Sequence, residues 1–233
     1  MQIKQFRYST DNLGYLIYGE TSAMAIDGGG AADEIISFIE EKGVQLKFLT
    51  NTHSHPDHTV GNETLLNRTG AIFIDTSTLL KNKKIELDGN DIQVFHTPGH
   101  SDDSVVFYFG NILVSGDTLF NGKIGRCFTG DMKGFYEAIK MLMALPEDTV
   151  IYAGHDYVEE YMGVAKSLEP DNPNIDAYVK NYDPTHVRST LEEEFKVNPC
   201  LRFNDPKIVS ILEAKGRPAG TEFERFASIR DMV

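Results

Sequence analysis

Eight consecutive residues, Asn51-Thr52-His53-Ser54-His55-Pro56-Asp57-His58, hold three of the seven histidines of this 233-residue chain together with one carboxylate. Imidazole and carboxylate groups at that density point to ligation of transition metals. A plain strand-to-helix loop, with Asp57 or Thr59 as its N-cap, accounts for one of these residues and leaves three imidazoles unexplained. In an extended segment alternate side chains share a side, so His53, His55 and Asp57 are predicted to face one way and His58 another. One loop could then feed two metal ions. Three further ligand-type residues follow singly: His100 in Thr97-Pro98-Gly99-His100, Asp117 in Ser115-Gly116-Asp117-Thr118, and His155 in Ala153-Gly154-His155-Asp156. Each comes after an apolar run rich in Val, Ile, Phe or Tyr, which places each in a loop at the end of a strand.

For these segments to act together, regular structure must carry them to one place. Leu46 to Thr50 is predicted as the buried strand that delivers the histidine cluster. Before it, alternating stretches over 3–8, 13–19 and 23–27 are predicted strands, with a turn at Ser9-Thr10-Asp11-Asn12, and a helix over 31–42 stops at Gly43. After it come a helix over 60–68 and strands over 71–75, 85–87, 92–95, 104–109 and 112–115. A helix over 133–144 and a strand over 149–153 follow. From residue 159 the pattern turns helical, with breaks at Glu169-Pro170-Asp171-Asn172-Pro173-Asn174 and Asp183-Pro184. Ser189-Thr190-Leu191-Glu192-Glu193-Glu194 has the form of a capping box.

Composition narrows the function classes. A hydrophobic fraction of 41% supports a sizeable core, and a net charge of −13 argues against a nucleic-acid or anionic-membrane partner. Small anionic substrates remain open to such a chain, since they need only a local basic patch. From Phe195 to Pro218, Lys196, Arg202, Lys207, Lys215 and Arg217 face only Asp205 and Glu213. No apolar run approaches the ~20 residues of a membrane span, and the N-terminus lacks the apolar stretch of a signal peptide. Cys127 and Cys200 are too few for a disulfide framework, so a cytoplasmic location is expected. Cys127 lies in a candidate site loop as an alternative nucleophile, with no cysteine-specific motif around it.

The order T-H-x-H-x-D-H, TPGH, GDTLF, GH resembles the metallo-β-lactamase superfamily and, within it, the glyoxalase II (hydroxyacylglutathione hydrolase) family. Ser189-Thr190-Leu191, Glu193-Glu194 and Asn198-Pro199-Cys200-Leu201-Arg202 resemble that family's C-terminal signature. The resemblance implies an αββα sandwich over residues 1–159 and a small helical domain over 160–233. It implies two divalent metal ions, one on His53, His55 and His100 and one on Asp57, His58 and His155, with Asp117 bridging. Mixed imidazole and carboxylate ligation does not choose among Zn, Fe and Mn. A hydroxide shared by the ions would be the nucleophile, and Asp57, His58 and Asp117 the residues on which catalysis turns. The activity implied is hydrolysis of S-lactoylglutathione or a related thioester. An acyl-coenzyme A or acyl-carrier-protein thioesterase, a lactonase, and a mononuclear iron persulfide dioxygenase are the other readings of the fold; a complete second ligand set favours the hydrolase.

By the same resemblance Arg126, Phe128, Tyr157 and Arg230 would contact the thiol arm. The plain alternative makes Arg126 a solvated charge and Tyr157 a packing residue. Three departures bear on the carrier: Val233 stands where the family has Lys, Ser101-Asp102-Asp103-Ser104 follows TPGH, and the segment between His58 and His100 is short. Two readings of Asp27 stand side by side: a group orienting the ligand loop from behind, and an Asp opening the Gly28-Gly29-Gly30 turn.

Overall fold

Strand β2 follows β1 (Gln2–Tyr8), spans Asn12–Tyr18 and is buried along nearly its whole length, as a strand covered on both faces must be. Leu13, Tyr15 and Ile17 point into a core shared with a second sheet, and Leu16 points the opposite way onto helices. The computed structural model describes residues 1–233. In it β1 and β2 pair with β3 (Ser22–Ile26), β4 (Gln45–Thr50) and the two-residue β5 (Ile72–Phe73) in that spatial order. A parallel crossover from β3 to β4 runs through α1 (Ala32–Lys42), whose Ile35, Ile36 and Ile39 cover the outer face of this sheet.

The second sheet contains β6 (Lys84–Leu87), β7 (Asn90–His96), β8 (Val105–Phe109) and β9 (Ile112–Gly116) as an antiparallel meander. A short hairpin, β10 (Leu119–Phe120) and β11 (Lys123–Ile124), precedes the strand β12 (Val150–Ala153), which lies parallel to β9. The edge strand β13 (Ser189–Thr190) comes from the C-terminal region. Phe135, Ile139 and Leu142 of the long helix over Met132–Met143 pack on Val106, Leu113 and Ile151 of this sheet together with Leu191, Ile208, Leu212, Phe226 and Ile229. The C-terminal helices therefore complete the outer layer of the sheet, and four layers result: helix, sheet, sheet, helix. No helix is long and apolar enough to cross a membrane.

Three local features differ from the sequence expectation. Only Ile72 and Phe73 of the run 71–75 form a strand, and both are exposed, because β5 is the edge of its sheet. An additional helix, Thr76–Asn82, follows; Asp75 caps it by accepting from Thr78 N at 2.8 Å, and Leu79 is its single buried residue, too little for a periodic pattern. The helix expected over 60–68 begins at Asn62, after Gly61 in a left-handed conformation (φ +76°).

Candidate metal centre

Every ligand-type residue leaves the C-terminal end of a strand: His53 to His58 after β4, His100 after β7, Asp117 after β9 and His155 after β12. Backbone bonds stitch the two sheets together here, Val105 N to Thr52 O at 2.8 Å and Leu13 N to Gly154 O at 2.8 Å. Gly154 is required at its position, since a Cβ there would strike Asp117 Oδ1 and crowd His58.

The loop is not extended throughout, which corrects the alternation expected of it. Pro56 opens a helical turn over Pro56–Thr59, a position that suits its fixed φ and missing N–H. His53 and His55 do share a side, but Asp57 turns with His58 toward His155. The helical turn, rather than strand alternation, separates the two groups.

His53 Nε2, His55 Nδ1 and His100 Nε2 converge, with His55 Nδ1 at 2.9 and 3.0 Å from the other two. His58 Nε2 and His155 Nε2 lie 3.2 Å apart, and Asp57 Oδ2 is 3.2 Å from His155 Nε2 and 3.6 Å from His58 Nε2. Asp117 reaches both groups: Oδ1 is 3.3 Å from His58 Nε2, and Oδ2 is 3.5 Å from His100 Nε2 and from His155 Nε2. All seven predicted side chains thus meet in one place.

The far nitrogens of four rings decide whether this suits a metal. His53 Nδ1 faces Thr52 Oγ1 (3.1 Å), His58 Nδ1 faces Asp27 Oδ2 (3.1 Å), His100 Nδ1 faces the Arg126 carbonyl (3.1 Å) and His155 Nδ1 faces Asp11 Oδ1 (3.3 Å). Each acceptor holds the proton on the outer nitrogen and leaves a lone pair directed inward, the outer-shell arrangement of a metal-bound histidine. Lone pairs within 3.2 Å of one another repel unless a proton or cation lies between them. Asp117 Oδ1 is buried without a hydrogen-bond partner. The donor set therefore fits divalent metals, in overlapping groups of three ligands.

Protonation follows from the same geometry. Burial pushes His53 down to about 4, and burial also lowers His100. Burial opposes the charge on His58 too, but the Asp27 carboxylate and then Asp117 overcome it and raise this ring to about 11. Asp117, despite the cost of burial, is held well below the usual carboxylate range by His58, 3.3 Å away, and then by the charges of His155 and His53. Asp27 supports the loop: Oδ1 accepts from Thr52 N (2.8 Å) and Asn51 Nδ2 (3.2 Å), and Oδ2 accepts from Thr52 Oγ1 (2.6 Å) and His58 Nδ1. Its φ of +52° also opens the glycine turn, so both readings of this residue hold.

Two family profiles cover this chain: "Metallo-beta-lactamase superfamily" over residues 12–74 and 77–155, and "Hydroxyacylglutathione hydrolase C-terminus" over 156–232. The hydroxyacylglutathione hydrolase of Chromohalobacter salexigens is 31% identical over 94% of this chain and 93% of its own length. That of Pelagibacter ubique is 31% identical over 100% and 98%. The chain belongs to the hydroxyacylglutathione hydrolase family. Its fold is also that of ETHE1 from Myxococcus xanthus, with a TM-score of 0.69 at 23% identity, covering 99% of this chain and 90% of the other. As a family member it is a metal-dependent hydrolase whose centre takes two divalent metal ions.

Of the four residues expected at the thiol arm, Phe128, Arg126 and Tyr157 stand beside this centre. Phe128 is 58% exposed and stands edge-on to His55 and His100 at 6.0 and 5.2 Å; the Arg126 guanidinium lies 5.1 Å over its ring. Tyr157 stacks on His155 at 5.2 Å with rings 2° from parallel. Arg230 stands apart from the metal ligands and lines a cavity with Arg126. Cys127 carries its thiol toward Thr129 Oγ1 at 3.6 Å, outside the convergence of ligands.

Sequence reasoning placed Asp11 and Asn12 in a turn but missed their part in the centre. Asp11 holds His155, and Asn12 Nδ2 donates to Asp57 Oδ2 at 3.0 Å. Tyr8 donates its hydroxyl to the Asp57 carbonyl at 3.0 Å. A turn tetrapeptide carries no local mark of such partners; the burial of Asn12 is the only hint, and it is a tertiary property.

Proposed function

We propose that this enzyme hydrolyses the glutathione thioester of a 2-hydroxy acid, S-lactoylglutathione foremost, giving the free acid and glutathione. The observation that carries this reading is the convergence of five imidazoles and two carboxylates, four of the rings held with a lone pair directed inward, in a chain whose relatives bear that enzyme's name over nearly their full length. His53, His55 and His100 would hold one ion and Asp57, His58 and His155 the other, with Asp117 within reach of both groups; such ions would supply acidification of water and polarisation of the thioester carbonyl. Water adds to the carbonyl carbon, the C–S bond breaks, and the proton lost by water ends on the departing thiolate. A thiol of pKa about 8.5 leaves readily, so a strong general acid is not needed. Asp57, half-exposed and steadied by Asn12, is the group placed to hold that proton at a carboxylate oxygen. Phe128 covers one side of the first ligand group and limits the approach of other water.

Residues 1–159 would act as the catalytic domain, and 160–233 as the helical domain that adds Arg230 to the thiol-arm contacts. Free thiols at Cys127 and Cys200 support a reducing, cytoplasmic setting. The test is elemental analysis together with steady-state assays on a thioester panel. Two ions per chain and turnover of S-lactoylglutathione are expected, with Asp57→Ala and His58→Ala lowering kcat by several orders of magnitude. One tightly held iron with oxygen consumption on glutathione persulfide would replace this reading with a dioxygenase.

A further inference from the structure

The β10–β11 hairpin follows Asp117 directly and leads into Gly125, whose N–H donates to the Thr118 carbonyl at 3.1 Å and where a Cβ would run into the Asp117 carbonyl. The next carbonyl, of Arg126, accepts from His100 Nδ1 at 3.1 Å. Phe128 then stands edge-on to His55 and His100, and Thr129 N and Oγ1 both donate to the Gly99 carbonyl at 3.2 Å. Any shift of the hairpin therefore moves the acceptor behind His100 together with the Arg126 and Phe128 side chains.

The turn of this hairpin, Asn121-Gly122, is held from the C-terminal region. Asn121 Nδ2 donates to Ser189 Oγ at 2.7 Å, and Ser189 Oγ donates to Glu194 Oε1 at 2.7 Å. Gly122 N donates to both oxygens of Glu194, at 2.9 and 3.1 Å. The Tyr178 hydroxyl reaches Oε1 at 2.7 Å and Asn198 Nδ2 reaches Oε2 at 2.9 Å. Glu194 is fully buried, and these four partners are all uncharged. Burial pushes its pKa up and the donors pull against that shift. A carboxylate only accepts and offers about four lone-pair sites, so it satisfies four converging donors at once. Tyr178, Ser189 and Asn198 would be enough to seat the helix over Leu191–Val197. Gly122 comes from the sheet that delivers Asp117 and His155, 72 residues earlier than Glu194.

We propose that Glu194 is a positioning residue for the metal centre: by gripping Gly122 it fixes the β10–β11 hairpin, and through the hairpin the Arg126 carbonyl behind His100 and the Arg126–Phe128 segment beside the ligands. Ser189, Glu194 and Asn198, which the sequence marks as parts of one pattern, thus meet in a single contact with the catalytic sheet. The effect on His100 stands on the donor set itself, whereas the effect on substrate rests on the thioesterase reading above.

Glu194→Ala, Glu194→Asp and Glu194→Gln are compared with wild type in three measurements. These are amide hydrogen exchange of the metal-free proteins by mass spectrometry, Zn²⁺ titration against a chromophoric chelator, and steady-state S-lactoylglutathione hydrolysis by metal-loaded protein. Asp keeps the charge but withdraws the carboxylate by one carbon–carbon bond, about 1.5 Å, beyond reach of Gly122 N, and it decides the matter if the Ala variant does not fold. Gln can keep Gly122 and Asn198 on its oxygen while the Tyr178 and Ser189 hydroxyls turn to accept from its NH2. Arg202→Met serves as the control, since Arg202 pairs with Glu169 and Asp205 in the same region without touching the hairpin. Ala and Asp are expected to speed exchange over residues 119–126 about tenfold or more, as loss of a charge-assisted hydrogen bond requires. They should also weaken the first equivalent of Zn²⁺ about tenfold and raise KM more than they lower kcat, with Gln restoring each to within about threefold of wild type. Arg202→Met should lower Tm and leave all three readouts unchanged. Wild-type exchange or zinc affinity in Glu194→Asp, exchange that rises evenly over the whole chain, or the same changes in Arg202→Met would each overturn the positioning role. Wild type inert towards S-lactoylglutathione would remove the thioesterase reading, and exchange and zinc titration would still decide the role of Glu194.

Discussion

Replacing Asp27 by Asn tests whether the buried carboxylate behind the loop sets the tautomers of the metal ligands. Asp27 is 1% exposed and accepts from four donors. Asn has the same shape, keeps Oδ1 for Thr52 N and Asn51, and places an NH2 where Oδ2 was. The Thr52 hydroxyl can rotate and accept, but His58 Nδ1 can no longer donate. Its proton must move to Nε2, the nitrogen that faces Asp117 and His155, and a protonated Nε2 has no lone pair for a metal. A flipped amide only transfers the conflict to Thr52 N and Asn51. Losing one hydrogen bond to a charged group costs about 1.5–3 kcal/mol. Losing an outer-shell partner weakens metal binding by about 10- to 100-fold, or roughly 1.4–2.8 kcal/mol, so two independent routes agree. Metal-free Asp27→Asn titrated with Zn²⁺ against a chromophoric chelator should bind its second equivalent 10- to 100-fold more weakly than wild type. The first equivalent should suffer less, because His53 feels Asp27 only through Thr52. If both equivalents bind within threefold of wild type and circular dichroism shows an intact fold, the tautomer argument is wrong.

Acid should remove the two ions in sequence. His58 has its metal-free pKa raised to about 11, so protons already compete for the second group throughout the range below that pH, whereas His53, lowered to about 4, meets that competition only near pH 4. Dialysis at stepped pH followed by elemental analysis should show one ion per chain near pH 5, and simultaneous loss of both would contradict the assignment. Asn12→Ala, which frees Asp57, should lower kcat about 10- to 100-fold with little change in Tm; unaltered kcat would mean that Asp57 needs no partner. Arg202→Met should cost about 3–5 kcal/mol in urea unfolding, because it strands the fully buried Glu169 that Arg202 now pairs with. A loss below 1 kcal/mol would show that water reaches Glu169 once the guanidinium is gone.

Local chemistry was legible along the chain because its causes are local. Three imidazoles within six residues mark a metal loop whatever surrounds them, and apolar runs ending in TPGH, GDT and GH mark strands that deliver ligands. Thr190 and Glu193 form the capping box their spacing predicts. What lay beyond reach depended on partners distant in sequence. The histidine loop failed to alternate because Pro56 begins a helical turn there. Five cations counted between Phe195 and Pro218 did not reveal which were free: Lys196 pairs with Glu192 and Arg202 with Glu169, while Arg217, unpaired, reaches the cavity lined by Arg126 and Arg230.

Residue types and spacing by themselves carried the family resemblance, the candidate ligand residues and the order of strands that deliver them, since motif, side-chain chemistry and periodicity within short windows suffice for these. The tertiary structure alone decided which nitrogen of each ring faces inward, because Thr52, Asp27, the Arg126 carbonyl and Asp11 hold the opposite nitrogens across separations of up to 144 residues. A lone pair has a direction, and only packing against a second element can fix it.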